Sequence, residues 1–263
     1  MPELSIITIN HNNCTGLQKT MLSVFAQSFT DYQYIVIDGG SADGSSELIK
    51  SYSEKIAYWV SEKDGGIYNA MNKGIKQAGG EYLLFLNSGD CLFDEEVLKK
   101  MLQKGNHADI IYGNILLDNG KEKTEGVFPE KLLFSYFFNH SLPHACSLIK
   151  RSLFENTGLY NEDYKIVSDW EFFLLAINKY QCSYQYVPMP VTVFNLDGIS
   201  AREENQQLIK EERKAVLQKH FASFMPDYEA YEKLQNELPK LKGMLAYRLH
   251  NKINKMYSKF LKA

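Results

Sequence analysis

Polar side chains follow three short apolar runs in the first 90 residues, each at the point where the run ends. The runs are Leu4–Ile9, Tyr34–Ile37 and Tyr82–Leu86, and the residues that follow them include Asn10, Asp38 and Asp90. Mg²⁺ is usually bound by one or two protein carboxylates together with phosphate oxygens and waters. Because little basic charge lies near these acids, the pattern predicts a phosphorylated ligand that is held through a divalent metal.

The three runs are short and rich in β-branched and aromatic residues, which is typical of buried parallel strands. Segments in which apolar residues recur with helical spacing separate them, so the expected class is an α/β fold. In an open sheet of this kind, ligands bind beyond the carboxyl ends of the strands, where these polar residues lie. Helices are predicted over residues 15–27, 45–53, 66–78, 94–103 and 168–178.

The second half of the chain alternates less regularly. A hairpin is predicted with strands at 109–117 and 121–127 around the turn Asn119–Gly120, because Asn-Gly is a preferred two-residue turn. A strand over 182–187 should end at the two prolines that follow it, since proline lacks the amide hydrogen that a ladder needs. The other predicted elements are a short helix at 131–138, a strand or extended loop at 141–149, and charged helices from residue 202 onward.

At 263 residues, the chain slightly exceeds the size at which a single core stops growing. One main domain with an appendage is therefore expected. We predict a first domain over residues 1–205, with a nucleotide-binding half at about 1–105 and an acceptor half at about 106–205. A helical extension over residues 206–263 should follow it.

The charge of the chain is unevenly distributed. The first 239 residues contain 22 basic and 32 acidic residues, a net charge of −10. An acidic body argues against binding to nucleic acid, which depends on basic surface. Four scattered cysteines fit reduced thiols, and no apolar stretch reaches the 18 residues of a membrane span. The body is therefore expected to be cytoplasmic.

Three motifs, taken together, resemble family 2 glycosyltransferases. They are Ser5–Asn10, Ile35–Ser45 and Phe85–Asp90, and the resemblance covers about residues 4–200. Members of this family are inverting enzymes with the GT-A fold, a Rossmann-like, mostly parallel sheet flanked by helices. Many act in bacterial polysaccharide and lipopolysaccharide assembly. The resemblance implies a nucleoside diphosphate sugar donor, often a UDP-sugar, a saccharide or lipid-linked acceptor, and Mg²⁺ or Mn²⁺ as cofactor.

Positions that match the family's motifs define a candidate site. Asp169 matches the catalytic base and Asp90 the metal-binding acid. The chain has Asn87-Ser88-Gly89-Asp90 where the family usually has an Asp-x-Asp-Asp cluster, so the single carboxylate predicts a weakly bound or dispensable metal. The candidates for donor binding are Thr8, Asn10 and Asp38 in the nucleoside pocket, with Asp38 towards the base, together with Gly40, Asp64, Asn69, Asn87, Ser88, His144 and Arg202.

Each acid also has an ordinary structural interpretation. Asn-Ser-Gly-Asp is common turn chemistry, so Asp90 can be a turn residue. Asp43 is equally consistent with ligand binding and with capping the next helix. Residues 168–171 have the form of a capping box, in which Asp169 would only complement the helix dipole. A capping box explains Glu171 but not Asp169, and the ordered motifs favour the metal and base roles.

Two features near the site are left open. His144 is as consistent with a structural histidine as with a residue that lines the acceptor or diphosphate site. The segment 195–200 either closes over the diphosphate or forms a surface turn. Arg202 is the best cation nearby for a phosphate group.

The last 24 residues combine apolar positions at three- and four-residue steps with seven basic residues and no acid. A basic amphipathic helix is typical of a segment that binds a membrane surface. At about 1 kcal/mol per basic residue near anionic lipid, several lysines would give reversible, peripheral attachment at the inner face of the membrane. The alternative is a helix that packs on the acidic body or on a second subunit.

Two other classes of protein remain open. A dinucleotide oxidoreductase or a methyltransferase would share the Rossmann-like pattern, but the turn Asn10–Asn13 lacks the glycine fingerprint of a dinucleotide site. A non-catalytic module that binds a nucleotide or a saccharide is consistent with the single carboxylate at Asp90. The three motifs in order favour the glycosyltransferase.

Overall fold

The computed structural model describes residues 1–118, 120, 122–195, 198 and 202–260. They form two compact units, the first over Met1–Glu212 and the second from Arg213 onward. The predicted domain boundary at residue 205 lies seven residues before the division between these units.

A nine-stranded mixed sheet forms the centre of the first unit, in the order β3-β2-β1-β4-β8-β6-β9-β5, with β7 paired to β6. The strands are β1 (Leu4–Asn10), β2 (Tyr32–Asp38), β3 (Tyr58–Ser61), β4 (Tyr82–Phe85), β5 (Cys91–Leu92), β6 (Ile110–Asp118), β7 (Lys123–Gly126), β8 (Ser147–Lys150) and β9 (Tyr184–Asn195). The first four strands are parallel, and β1 lies between β2 and β4. The chain therefore reverses its direction across the sheet at β1, which creates a crevice beyond the carboxyl ends of β1 and β4.

Helices cover both faces of the parallel part of the sheet. Leu4 and Ile6 of β1 share a core cluster with Leu17 of the first helix. Ile7 points to the opposite face, where Gly74 approaches it so closely that a Cβ atom would overlap its side chain. The α-helices of the described residues are α1 (Cys14–Phe25), α2 (Ser45–Ser51), α3 (Ile67–Gln77), α4 (Val97–Lys104), α5 (Tyr136–Asn139), α6 (Leu153–Thr157), α7 (Ser168–Asn178), α8 (Gln206–Phe221), α9 (Met225–Gly243) and α10 (Leu245–Phe260).

The predicted α/β class is confirmed, and the three apolar runs form parallel strands. Five predicted helices, at 15–27, 45–53, 66–78, 94–103 and 168–178, correspond to α1, α2, α3, α4 and α7. Each begins and ends within three residues of the observed helix. The predicted hairpin is also present, since β6 pairs antiparallel with β7 from Ile115↔Gly126 to Asp118↔Lys123. Two residues of its turn, Asn119 and Lys121, lie outside the described residues.

Two predicted elements are wrong in extent. The last strand does not stop at its prolines, because β9 runs through Pro188 and Pro190 where its register with β6 shifts around Asn114. A bulge relieves the need for a regular ladder at these positions, and Gly113 opposite has no side chain to collide with the carbonyl oxygen of Met189. The helix expected at 131–138 covers only α5, because the amide of Leu132 donates to the Tyr184 hydroxyl instead.

The second unit contains the end of α8 and the helices α9 and α10. Large apolar side chains on α9 and α10 are exposed, among them Leu241, Leu249 (59%) and Ile253 (46%). Within the described part of the chain, no helix is both long enough and apolar enough to cross a membrane.

Candidate functional site

A cavity of about 670 Å³ opens beyond the carboxyl ends of β1 and β4, where the sheet order reverses. Side chains from strands, loops and the starts of α3 and α7 line it. Eight of the twelve predicted site residues are among them: Asn10, Asp64, Asn87, Ser88, Asp90, His144, Asp169 and Arg202. The fold thus brings residues that are up to 192 positions apart into one pocket of a size suited to a small ligand.

Thr8 and Asp38, which were predicted for the nucleoside pocket, do not line this cavity, and both are completely buried. Thr8 lies in the core, where its Oγ1 accepts a hydrogen bond of 2.9 Å from the Tyr34 hydroxyl. The Asp38 carboxylate lies beneath the cavity and accepts from Asn10 Nδ2 at 2.7 Å, which orients that amide. Its other partners are the hydroxyl groups of Ser41 and Ser61, each at 2.6 Å.

Hydrogen bonding keeps the buried Asp38 ionised. Burial alone would raise the pKa of this carboxyl group, but the bonds from Ser41, Ser61 and Asn10 outweigh burial and lower the pKa below its usual value. Asp38 therefore provides a fixed negative charge under the side chain of Asn10, which itself lines the cavity.

Gly40 and Asn69 also lie outside the lining of the cavity. Gly40 has φ +75°, and a Cβ atom there would lie 3.1 Å from the backbone nitrogen of Lys63, so only glycine fits without strain. Asn69 accepts from the amide of Gly65 at 3.1 Å and donates to Glu162 at 2.8 Å. Its observed contacts thus fix the entry into α3.

Asp64 lines the rim of the cavity and is paired with a lysine. Its carboxylate lies 2.5 Å from Lys73 Nζ, which also contacts Glu62 at 2.7 Å. Hydrogen bonds to Asp64 and Glu62 raise the pKa of Lys73. Because this lysine compensates the charge of Asp64, the carboxylate is suited to accept a hydrogen bond from a neutral ligand group.

Asp43, for which capping and ligand binding were both open, has the contacts of a cap. Its Oδ2 accepts from the amide of Cys14 at 2.7 Å, and its Oδ1 accepts from the amide and hydroxyl of Ser45 at 3.2 and 2.6 Å. It thereby satisfies donors at the starts of both α1 and α2.

The Asp169 carboxylate, 18% exposed, is held from both sides on the first turn of α7. Its Oδ2 lies 3.0 Å from His144 Nδ1, and its Oδ1 accepts from the Tyr68 hydroxyl at 3.0 Å and from the Trp170 amide at 2.9 Å. Burial raises the pKa of Asp169, but the hydrogen bond from His144, the electrostatic interaction with that ring and the bond from Tyr68 outweigh burial and lower the pKa. Asp169 is therefore ionised at neutral pH, as a general base must be.

The capping box that was the alternative interpretation of residues 168–171 is not formed. The N-cap position is Val167, which offers no side-chain bond, and Ser168 Oγ is buried without a partner. The backbone amides just before the helix are instead bound by Glu212, which is distant in sequence.

His144 connects Asp169 to the loop that follows β4. Its Nε2 lies 3.2 Å from Asn87 Nδ2, which makes the ring an acceptor there and a donor from Nδ1 to Asp169. The histidine tautomer is assigned from these partners. Tyr68 and Lys165 also line the cavity but were not predicted from the sequence. The only signal for Tyr68 was its place in the first turn of α3, directly after Asp64-Gly65-Gly66.

Asp90 is 4% exposed and lacks a close cationic partner among the described residues. Its Oδ1 accepts from the Asn195 amide at 3.0 Å. Burial raises the pKa of this carboxyl group to about 6, although the Asn195 amide and His144 lower it in part. Burial makes the ionised form of Asp90 unfavourable, and a bound cation would compensate its negative charge. Asp90 is therefore suited to a cation site.

The residues around Asp90 fit a metal ion that shares its coordination with a ligand. Asn87 Oδ1 is a buried amide oxygen that accepts no hydrogen bond. Among the described residues there is no group of three or more His, Cys, Asp and Glu side chains arranged for a metal. Mg²⁺ needs only one or two protein carboxylates when phosphate oxygens and waters complete its coordination. Asp90 and Asn87 therefore fit a metal held together with a diphosphate, but not one held by protein alone.

Three basic residues also line the cavity: Lys63, Lys165 and Arg202. Arg202 is largely exposed and lies 3.9 Å from Glu204, so it is free to turn towards an anion. Asn195 and Gly198 also line the cavity; they belong to the segment for which closure over the diphosphate and a surface turn were both left open. The other residues of that segment, 196, 197, 199 and 200, lie outside the described residues.

Solved structures with this fold include enzymes that bind nucleotides. The chain superposes on S. aureus TarS 1–349 in complex with UDP with a TM-score of 0.60 and 19% identity, covering 73% of this chain and 60% of that one. It also resembles the mannosyltransferase PcManGT from Pyrobaculum calidifontis in complex with GDP-Man and Mn²⁺, with a TM-score of 0.52 and 15% identity over 72% of this chain and 55% of that chain. These likenesses confirm the GT-A fold.

Sequence comparison agrees with the fold. An uncharacterized glycosyltransferase of Mycobacterium tuberculosis is 33% identical over 214 residues, which are 77% of this chain and 79% of that protein. A PGL/p-HBAD biosynthesis glycosyltransferase of Mycobacterium bovis is 26% identical over 217 residues, covering 80% of this chain and 83% of that protein. Residues 5–158 match the family model described as Glycosyl transferase family 2, and the chain therefore belongs to that family of glycosyltransferases.

Proposed function

We propose that the protein transfers a sugar, with inversion, from a nucleoside diphosphate sugar to a saccharide or lipid-linked acceptor in the synthesis of a cell-surface polysaccharide. The observation that carries the proposal is that Asp90 and Asp169 line one cavity beyond the sheet. The Asp90 carboxyl group is suited to a cation, and the Asp169 carboxyl group is ionised and oriented by hydrogen bonds. The TarS complexes with UDP and UDP-GlcNAc support a UDP-sugar as the donor.

In the proposed reaction, Asp169 accepts the proton of the acceptor hydroxyl group while that oxygen attacks the anomeric carbon. His144 and Tyr68 hold the carboxylate in place through both of its oxygens. The bond to the diphosphate breaks on the opposite side of the sugar, so the anomeric configuration inverts. Such a transition state has oxocarbenium character, as in glycoside hydrolysis.

The other cavity residues have proposed roles in binding the donor. Asn10 and Asp64 contact the nucleoside, and the buried Asp38 fixes the orientation of Asn10. Arg202 contacts the diphosphate. Asp90 and Asn87 would hold Mg²⁺ or Mn²⁺, which when bound supplies positive charge to neutralise the leaving diphosphate.

The proposal predicts selective stabilisation by a donor. A UDP-sugar with Mn²⁺ at 100 times its Kd should stabilise the fold by about 2.7 kcal/mol, because the ligand binds only the native state. Thermal unfolding with UDP-, GDP- and dTDP-sugars, with and without Mn²⁺, measures this shift. NAD and S-adenosylmethionine serve as controls for the other Rossmann-like classes. Stabilisation by either control, and by none of the nucleotide sugars, would contradict the proposal.

A non-catalytic binding module is the second candidate. The observation that favours it is the single carboxylate at Asp90 in a loop whose other side chains are uncharged. Such a module would bind the donor with the affinity of an enzyme, yet would release no UDP in the presence of any saccharide or lipid-linked acceptor. UDP release above the rate of spontaneous hydrolysis would exclude it.

We also propose that α10 attaches the protein to an anionic membrane surface. Leu249 and Ile253 lie one turn apart on an exposed face, and Arg248 and Lys252 lie one turn apart beside them. If two copies of α10 packed against each other, their basic residues would lie close together and repel. An anionic lipid surface would instead attract these residues.

Neutralising these two charges should weaken binding to vesicles. At about 1 kcal/mol for each basic residue, Arg248→Gln with Lys252→Gln should reduce affinity for vesicles of mixed anionic and zwitterionic lipid by about 30-fold. Sedimentation with vesicles measures the effect, and Lys50→Gln with Lys104→Gln is the matched control on the first unit. Equal binding to purely zwitterionic vesicles, or a stable dimer with no vesicle binding, would refute the attachment.

A further inference from the structure

Glu212 on α8 is a buried carboxylate, 8% exposed, which the proposed reaction does not use directly. Its two oxygens accept hydrogen bonds from three consecutive backbone amides. Oε1 accepts from Lys165 at 2.8 Å, and Oε2 accepts from Ile166 at 3.1 Å and Val167 at 3.2 Å. Amide groups bound to a carboxylate in this way form strong, charge-assisted bonds.

The three amides lie directly before α7, at an end of the helix that no local side chain caps. The first amide groups of a helix lack partners within the helix, and the positive end of its dipole attracts an anion. Glu212 binds the amide of the N-cap residue Val167, which is one of these groups, together with the two amides before it, from a position 45 residues further along the chain. Its contacts lie entirely within the first unit.

The segment that Glu212 holds is joined to the base on both sides. Asp169 follows Val167 by two residues. The carbonyl oxygen of Ile166 accepts from the Tyr68 hydroxyl at 2.5 Å, and the same hydroxyl lies 3.0 Å from the Asp169 carboxylate. Any shift of residues 165–167 would change both the position of Asp169 and its contact with Tyr68. In an enzyme site, a displacement of 1 Å can cost about 100-fold in rate.

We propose that Glu212 is a positioning residue, which fixes the segment 165–167 and so holds Asp169 in the geometry needed to accept the proton. This inference rests on the proposed function, because it assumes that Asp169 is the base. It adds that a residue outside the cavity, on α8, controls the rate of transfer without contacting donor or acceptor.

Glu212→Gln keeps the size of the side chain but replaces one acceptor oxygen with an amino group that must face backbone N–H groups. We expect kcat to fall by about 10- to 100-fold, with the donor KM and the calorimetric Kd for UDP within about twofold of wild type. Glu211→Gln is the matched control, because Glu211 is the exposed neighbour on the same helix and its side chain bonds only Gln207 among the described residues. This control should match wild type.

A double-mutant cycle separates positioning from general damage to the fold. If Glu212 acts through Asp169, Glu212→Gln should cause no further loss of kcat in an Asp169→Asn protein. An equal loss in both backgrounds, a kcat within twofold of wild type, or a parallel loss of UDP affinity would overturn the inference. If Glu212→Gln does not fold, Glu212→Asp takes its place. It keeps the charge but is too short to reach all three amides, so wild-type kinetics there would also overturn the inference.

The same measurements distinguish failure of the inference from failure of the proposed function. An active wild-type enzyme with an unaffected Glu212→Gln variant overturns only the positioning role. A wild-type protein that binds UDP but transfers no sugar overturns both.

Discussion

Replacing Asp169 with Asn is expected to lower kcat for sugar transfer by about 10²- to 10⁴-fold, which is the usual contribution of a general base. The amide is similar in size and can still accept from Tyr68 and Trp170, but it cannot take a proton from the acceptor. The Kd for UDP should therefore stay within about twofold of wild type. Initial rates of UDP release with and without acceptor, together with calorimetry, measure the two quantities.

Asp163→Asn is the control for Asp169→Asn. Asp163 is an exposed acid in the loop before α7 and does not line the cavity.

The lowered pKa of Asp169 also fixes the sign of the pH effect, because the base form is lost only as the pH falls through that lowered pKa. Protonation of Asp169 should thus cause no loss of kcat between pH 5 and 8. Transfer at more than a third of the wild-type rate by Asp169→Asn would remove it from the base role.

Replacing Asp90 with Asn should abolish the binding of Mn²⁺ in the presence of UDP and lower transfer by about 10²- to 10³-fold. This loss corresponds to roughly 3–4 kcal/mol of charge stabilisation on the leaving diphosphate. Because the cation competes with a proton for a carboxyl group whose pKa is about 6, Mn²⁺ affinity of the wild type should fall about tenfold per pH unit below pH 6. Electron paramagnetic resonance of free Mn²⁺ measures binding independently of activity.

The same substitution should stabilise the metal-free fold. The folded protein holds the proton of Asp90 up to about pH 6, whereas the unfolded chain releases it near pH 4, so wild-type stability falls as the pH rises between these values. Asp90→Asn should therefore gain on the order of 2–3 kcal/mol at pH 8 but little at pH 4. Glu95→Gln, a nearby exposed acid, should show neither effect. Unchanged Mn²⁺ binding in Asp90→Asn would show that this carboxylate is not a metal ligand.

The parallel half of the fold was predictable because its signals are local. A fully buried strand such as β1 needs an unbroken apolar run, and α3 needs apolar residues three and four positions apart. The polar ends of the strands then indicated where a ligand would bind. Asn10 and Asp90, which this reasoning identified, line one cavity with Asp169, which the family resemblance supplied.

The errors arose where tertiary contacts override local rules. A bulge lets β9 continue through its prolines, and the Tyr184 hydroxyl group binds the backbone that was expected to form a longer helix. The alternative of a capping box over residues 168–171 fails because the Ser168 hydroxyl has no partner, while Glu212 from a distant helix binds the amides of residues 165–167. The alternation of residues along β2 also could not show how deeply Asp38 is buried. The two serine hydroxyls that bind it come from other parts of the chain, Ser41 from the loop after β2 and Ser61 from the end of β3.

The depth of Asp38 has a consequence for the kinetics of ligand entry. With no exposed surface and with Asn10, Ser41 and Ser61 already bonded to it, this carboxylate is unreachable from the pocket unless one of those partners swings aside. A nucleobase that touches Asp38 directly must therefore arrive in two stages, a rapid encounter followed by a slower rearrangement. One that stops at Asn10 would associate in a single stage.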